Sequence, residues 1–423
     1  MGGLLLRDHW FDLPLNHADP HGQTIRVYAR EAVSAEKVAT GSDRGLPWLL
    51  FLAGGPGGKA ARPDDGSAWL HRAAQDYRVL LLDQRGTGRS TPATAATLDR
   101  QGDAAAQADY LAHFRADSIV ADAELIRTRL LGDQQWTVLG QSYGGFCALT
   151  YLSFAPHGMA AALIAGGLGP LEATADEVYA ATYRAVEAKN ALFHQAFPAA
   201  RAQVDAVAEQ IRRHAVQLPD GSPLTIERFQ AVGIALGQRS TASSLAFLLE
   251  EAFVDGLSGR QLSDTFLAGA WQQLSFAPGP LYAVIHEAIY SHGAPTRWAA
   301  QRVRHDFPQF SPDADPLLLT GEMIYPWMFD VDPALRPLQE TADALAERSW
   351  SPLYDLNVLA SNDVAVAAAL YTDDMYVDAT LSRRTAAQVK GVRLWETNAY
   401  EHDGLRETAD VVDRLIRMAR GEL

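Results

Sequence analysis

Trp136-Thr137-Val138-Leu139-Gly140-Gln141-Ser142-Tyr143-Gly144-Gly145-Phe146-Cys147-Ala148-Leu149 is the stretch on which the fold turns. Trp136–Leu139 reads as a strand and Phe146–Phe154 as a helix. Between them, Gly140-Gln141-Ser142-Tyr143-Gly144 matches G-x-S-x-G. A serine on so sharp a strand-to-helix turn brings the residues two before and two after it too close for a Cβ, hence Gly140 and Gly144. The turn lifts the hydroxyl beyond the sheet and aims the Tyr143 N–H at a developing oxyanion. The competing interpretation is a glycine-rich turn without chemistry, and the correct flanks on both sides outweigh it.

Working outward, Trp48–Leu52, Arg78–Asp83, Trp136–Gly140, Ala161–Ala165, Val364–Leu370 and Val392–Glu396 read as strands. The most continuous are apolar on both faces, as in a parallel sheet covered by helices. Trp10–Leu15 and Thr24–Arg30 predict an antiparallel hairpin ahead of them. From about Leu171 to Glu347 the windows Asp176–Phe197, Ala199–Gln217, Ser243–Val254 and Pro280–Tyr290 are helical by period and propensity. Pro198, Pro219-Asp220-Gly221, Pro278-Gly279-Pro280 and Pro295 break them. The layout is α/β: an α/β-hydrolase fold with a mostly parallel central sheet flanked by helices and an inserted, mainly helical cap domain. The expected division is 1–170 and 348–423 for the catalytic domain and 171–347 for the cap. Ser34–Gly45 is expected to be a mobile polar loop.

In this fold the serine is followed in the chain by an acid and then a histidine. The chain has twelve histidines, and beyond residue 305 only His402 remains, in a polar loop after the last strand. It is the expected general base. The acid should follow Val364–Leu370, where Asp373, Asp374 and Asp378 all qualify by position; Asp374 is preferred and Asp373 comes next. Ala53-Gly54-Gly55-Pro56-Gly57-Gly58 follows the strand Trp48–Leu52 and supplies the second oxyanion donor, Gly55. A phosphate-binding loop fails here, because Ala53 stands where Gly is required and Ala60 where Ser or Thr must meet Mg²⁺.

Composition narrows the class. At 423 residues, 48% hydrophobic and 21% charged, the chain reads as a soluble globular protein with enough apolar side chain for a full core. A formal net charge of −15 argues against a nucleic-acid partner. No segment approaches the roughly eighteen continuous apolar residues of a membrane span, and no signal peptide is visible after Leu4–Leu6. The single cysteine, Cys147, forbids an intrachain disulfide and suits a reducing, cytoplasmic compartment. It sits one turn into the elbow helix and reads as a buried small hydrophobe. His286-Glu287 resembles the start of a zinc-peptidase helix, but Tyr290 occupies the second histidine position, so no metal site is expected.

Gly54-Gly55-Pro56-Gly57-Gly58, Asp83-Gln84-Arg85-Gly86-Thr87-Gly88-Arg89-Ser90 and Gly140-Gln141-Ser142-Tyr143-Gly144-Gly145 together resemble the proline iminopeptidases (prolyl aminopeptidases). Phe11-Asp12-Leu13-Pro14-Leu15-Asn16-His17, Thr372-Asp373-Asp374-Met375-Tyr376-Val377-Asp378 and Glu401-His402-Asp403-Gly404-Leu405-Arg406 resemble their longer form. The resemblance implies a serine exopeptidase that releases N-terminal proline, or a similar small residue, from small peptides and amides with a free N-terminus, without metal or organic cofactor. It places the acid on Asp374. It also implies that Glu287 and Glu322 of the cap hold the substrate amine, a cation that needs carboxylate partners in a partly desolvated pocket. Glu322 stands out besides as a lone charge in the apolar segment Met323-Ile324-Tyr325-Pro326-Trp327. Tyr325 and Trp327, with Tyr143 and Phe329, are expected to wall a pocket for the pyrrolidine ring. One departure is Ala53, where the family has His or another polar residue; the loop loses a bracing side chain and keeps its backbone donors.

Two other functions compete: an esterase or small-amide hydrolase on the same scaffold, and a non-catalytic binding protein that kept the fold. Relatives that attack with aspartate, such as epoxide hydrolases, are excluded by Ser142.

Overall fold

The computed structural model describes residues 3–64, 67–257 and 259–423. In chain order the strands are β1 (Leu4–Pro14), β2 (Thr24–Ser34), β3 (Trp48–Leu52), β4 (Arg78–Asp83), β5 (Trp136–Gln141), β6 (Met159–Ala165), β7 (Phe253–Gly256), β8 (Gly259–Leu262), β9 (Ala365–Tyr371) and β10 (Val392–Thr397). Eight of them form one sheet in the order β1-β2-β4-β3-β5-β6-β9-β10, and β7-β8 is a separate hairpin. Within the large sheet β2 pairs antiparallel with both β1 and β4, and the remaining neighbours pair parallel. The sheet is mostly parallel, as the two-sided apolar strands require.

The pleat divides the core. Leu50, Leu52, Leu80, Leu82 and Val138 face one side, with Cys147, Leu149, Ile119 and Ile126 of covering helices. Leu49, Phe51, Val79, Leu81 and Leu139 face the other, against Trp69, Leu70, Leu415 and Ile416. The order also sets where chemistry sits. The chain runs from β3 outward to β4, then crosses back to β5 on the far side of β3. Loops after β3 and β5 therefore open a crevice at their carboxyl ends, where ligands bind in such sheets.

Three local expectations change. The leading strand starts at Leu4 and not at Trp10, and takes in Arg7, Asp8 and His9. They are held by β2: Arg7 stands opposite Glu31 and Asp8 opposite Arg30, and His9 Nε2 lies 3.0 Å from Glu31 Oε2. Opposite charges across a ladder stabilise a strand that hydrophobic pattern alone misses. Ser34–Gly45 is not a loop but the short helix Ala35–Thr40 followed by a 3₁₀ turn, Ser42–Gly45. Ser34 caps its start, and Gly41, at φ 73°, ends it in the left-handed region. The predicted helix Ser243–Val254 runs instead from Arg239 to Glu250, and Phe253 and Val254 enter the β7-β8 hairpin.

The segment between β6 and β9 is mainly helical, with Ala175–Ala196, Pro198–Arg213, Arg239–Glu250 and Asp264–Leu274 as its longer helices. Pro280–Tyr290 splits into the helix Leu281–Ile285 and a 3₁₀ turn, Glu287–Tyr290. The buried Arg115 reaches this insert from below, donating to the carbonyls of Ala288 and Ser291, both at 3.2 Å. Among the described residues no helix is long and apolar enough to cross a membrane.

Candidate active site

The elbow places Ser142 first. Its backbone lies at φ 56° and ψ −125°, a region that costs a non-glycine residue about 1–3 kcal/mol and persists only where the surroundings dictate it. They do: the Ser142 N–H donates to Ala165 O at 3.0 Å, and Gly145 N–H donates to Ser142 O at 2.7 Å. A Cβ on Gly140 would collide with the Gly144 carbonyl, and one on Gly144 with the Leu52 carbonyl. Tyr143 opens the elbow helix Tyr143–Phe154, so its N–H has no carbonyl partner inside that helix.

His402, in the loop after β10, brings Nε2 to 2.8 Å from Ser142 Oγ and Nδ1 to 2.7 Å from Asp374 Oδ2. The other carboxylate oxygen, Asp374 Oδ1, accepts the N–H groups of Tyr376 (2.8 Å) and Val377 (3.1 Å). The three aspartates that spacing left open therefore differ plainly. Asp373 is exposed, and Asp378 caps the helix Ala379–Gln388 through Thr380 and Leu381 N–H. Asp374 alone of the three is buried against the histidine. Burial pulls the His402 imidazole down, but the Asp374 charge and hydrogen bond, with the Glu322 charge behind them, hold it above the ordinary histidine value. The Tyr376 ring packs edge-on to it at 4.7 Å between centroids, while Tyr376 Oη donates to Ile234 O of the insert at 2.5 Å.

The glycine loop after β3 lies on the other side of the serine. Gly54 packs so close that a Cβ there would come within 2.9 Å of Ser142 Cβ. The buried Gln84 steadies this loop: its Nε2 donates to the Ala53 carbonyl at 3.0 Å. Gln84 is in turn fixed by its neighbours, because Arg85 is tied to Asp122 through Nε (2.8 Å) and Nη2 (2.6 Å). Serine, histidine and glycine loop open into one cavity of about 550 Å³, which Glu322 and Tyr282 of the insert also line. Tyr282 Oη donates to Glu322 Oε1 at 2.5 Å. Burial raises the Glu322 carboxyl above the ordinary carboxylate range, against the Tyr282 hydrogen bond and the nearby His402.

The α/β hydrolase fold family model matches residues 47–252. A proline iminopeptidase of Aeromonas sobria is 46% identical over 99% of this chain and 98% of its own length. The chain belongs to the proline iminopeptidase family. The proline iminopeptidase aneH of Aspergillus aculeatus is 34% identical over 95% of this chain and 90% of its own. A proline iminopeptidase of Xanthomonas citri aligns only over 26% of this chain and 29% of its own, at 39% identity.

Against the family's expectations, the four substrate-binding candidates separate. Glu322 is in the cavity. Glu287 is not among its walls: its Oε1 accepts Ala300 N–H (2.9 Å) and its Oε2 accepts Ala299 N–H (3.0 Å), at the start of the helix Ala299–Val303. Both oxygens serve backbone donors that a helix start leaves open, so Glu287 is engaged there as a cap. Tyr325 is also withdrawn, its hydroxyl 2.9 Å from that of Tyr183. Trp327 lines a separate cavity of about 60 Å³ behind Tyr282. The Tyr143 ring and Phe329 are buried in the core.

Two expectations follow for this family member. Glu287→Gln turns an amide N–H toward one of those backbone donors, and unfolding experiments should show a loss of about 1–3 kcal/mol. Its kinetic effect should be smaller than that of Glu322→Gln; unchanged stability with loss of turnover would return Glu287 to the amine. Gln84→Met keeps the volume and removes the donor to Ala53, so kcat should fall about tenfold, less than the 10²–10³ for deleting an oxyanion donor outright. A rise in KM at unchanged kcat would show that Gln84 does not act through the oxyanion loop.

Proposed function

We propose that this chain is a serine aminopeptidase that releases N-terminal proline, or a similar small residue, from peptides and amides. The observation that carries the reading is His402 held between Ser142 and Asp374 at 2.8 and 2.7 Å, in one cavity with the half-buried carboxylate Glu322. His402 Nε2 takes the Ser142 proton as Oγ attacks the scissile carbonyl. Asp374 keeps the Nδ1–H tautomer and stabilises the imidazolium. The N–H groups of Gly55 and Tyr143 receive the oxyanion. The imidazolium then protonates the leaving amine, and water repeats the sequence on the acyl-enzyme.

Glu322 gives the reading its exopeptidase character. With Oε1 engaged by Tyr282, Oε2 is available to the substrate ammonium, and a carboxylate that burial holds high gains most when a cation arrives. In this proposal the insert 171–347 acts as a cap domain over a catalytic domain made of 1–170 and 348–423. The same proposal includes a cytoplasmic location, supported by the single, buried Cys147.

Kinetics on proline β-naphthylamide, its N-acetyl derivative and p-nitrophenyl esters test the reading. Turnover of the free-amine substrate should be lost on acetylation. If esters are preferred and acetylation has no effect, the chain is an esterase of the same fold.

A further inference from the structure

The cavity is lined by charges of both signs, and the mechanism above uses none of its cations. Glu322 stands at the insert side. Lys59, just past the glycine loop, and Arg406, four residues past His402, line the same cavity. Both are exposed, and among the described residues neither is in an ion pair, whereas Lys189 and Lys390 are paired with Glu401 and Asp363. Among the described residues Asp64 also lines the cavity, and its Oδ1 accepts from Ser67 Oγ at 2.8 Å. These two cations stand on a chain whose formal net charge is −15. On such a surface an anion is repelled almost everywhere, so two cations that line the cavity of the reacting serine mark where an anion is tolerated. The Arg406 charge also reaches His402, where it opposes Asp374.

We propose that Lys59 and Arg406 bind the C-terminal carboxylate of short peptide substrates, so that the site selects di- and tripeptides carrying both free termini. This rests on the aminopeptidase reading above. With the amine at Glu322 and the scissile carbonyl at Ser142, the leaving residue occupies the rest of the same cavity, whose lining includes both cations. A chain spans at most about 3.3–3.6 Å per residue, so only a carboxylate one or two residues beyond the scissile bond stays within reach of side chains lining the same cavity. Longer peptides carry their carboxylate past it.

The test is the ratio of kcat/KM for Pro-Gly to that for Pro-Gly-NH₂, measured on the full chain, on Lys59→Gln, on Arg406→Gln and on the double variant. The wild-type ratio should be about tenfold; each single variant should reduce it about threefold and the pair about tenfold, as expected for exposed ion pairs at separate positions. The preference should shrink with added salt. Any effect of Arg406 on His402 acts on both substrates and cancels in the ratio. A wild-type ratio near one, or a ratio that neither variant moves, overturns the inference. Proline β-naphthylamide turnover separates the two levels. If it proceeds while the ratio is one, only the carboxylate site fails; if all three substrates are inert, the aminopeptidase reading fails and this inference with it.

Discussion

Asp374→Asn should lower kcat by about four orders of magnitude while leaving KM little changed, the scale seen when a triad acid is made neutral. The local hydrogen bonds decide which way the asparagine turns. Oδ1 of Asp374 accepts two backbone N–H groups, from Tyr376 and Val377, and only an oxygen can replace it there. The amide nitrogen must then face His402 Nδ1, where the carboxylate oxygen Oδ2 now lies at 2.7 Å. A donor at that position forces the imidazole to carry its proton on Nε2, which can no longer accept from Ser142 Oγ. The acid's effect is thus a tautomer effect, transmitted through one ring. Steady-state kinetics and the rate of fluorophosphonate labelling should fall together, while the cavity and substrate affinity persist. A loss below tenfold, or an equal loss in the exposed Asp373→Asn, would overturn the assignment of the acid.

This turn is also where the reach of sequence reasoning is clearest. Gly140 and Gly144 were legible because backbone crowding admits no other residue, and that constraint shows in one chain without its fold. His402 was legible by elimination. The choice among Asp373, Asp374 and Asp378 was not settled by spacing, because all three follow the same strand and differ only in what their oxygens meet: solvent, His402 or a helix start. Glu287 and Glu322 pose the same difficulty more sharply. Each is a glutamate among apolar residues, and each has a carboxyl that burial raises. The distinction lies in Ala299 and Ala300, whose N–H groups are brought to Glu287 by a fold contact no local pattern announces.

Aromatic residues were the other blind spot. Tyr376 and Tyr282 sat in segments singled out for other residues, and tyrosines near a core usually just pack. Here one hydroxyl holds Glu322 and the other ties the acid loop to Ile234. The first two residues of β7 were read as helix because Phe253 and Val254 continue an apolar periodicity. Gly256 and Gly259, which bracket its turn, were the signal that was available.

Glu322→Gln should reduce kcat/KM for free-amine substrates by about 10²–10³, the cost of removing one partner from a desolvated charge pair. Glutamine keeps an oxygen for Tyr282 Oη, so the fold and the cavity wall should survive, but it presents N–H where the substrate ammonium needs an acceptor. Ser142 should remain reactive toward a fluorophosphonate, which has no amine to recognise, and this separates recognition from chemistry. The pH dependence of that labelling carries a second, independent sign. His402 must be neutral to act as base, and the folded protein holds its pKa above the ordinary value, so labelling declines as pH falls through that raised value. Part of the elevation comes from the Glu322 charge, so removing it makes the imidazole easier to deprotonate and moves the acid limb of the labelling profile to lower pH. A limb that stays in place or moves upward would mean that Glu322 is not charged beside His402. Free-amine kinetics equal to wild type would remove Glu322 from substrate recognition altogether.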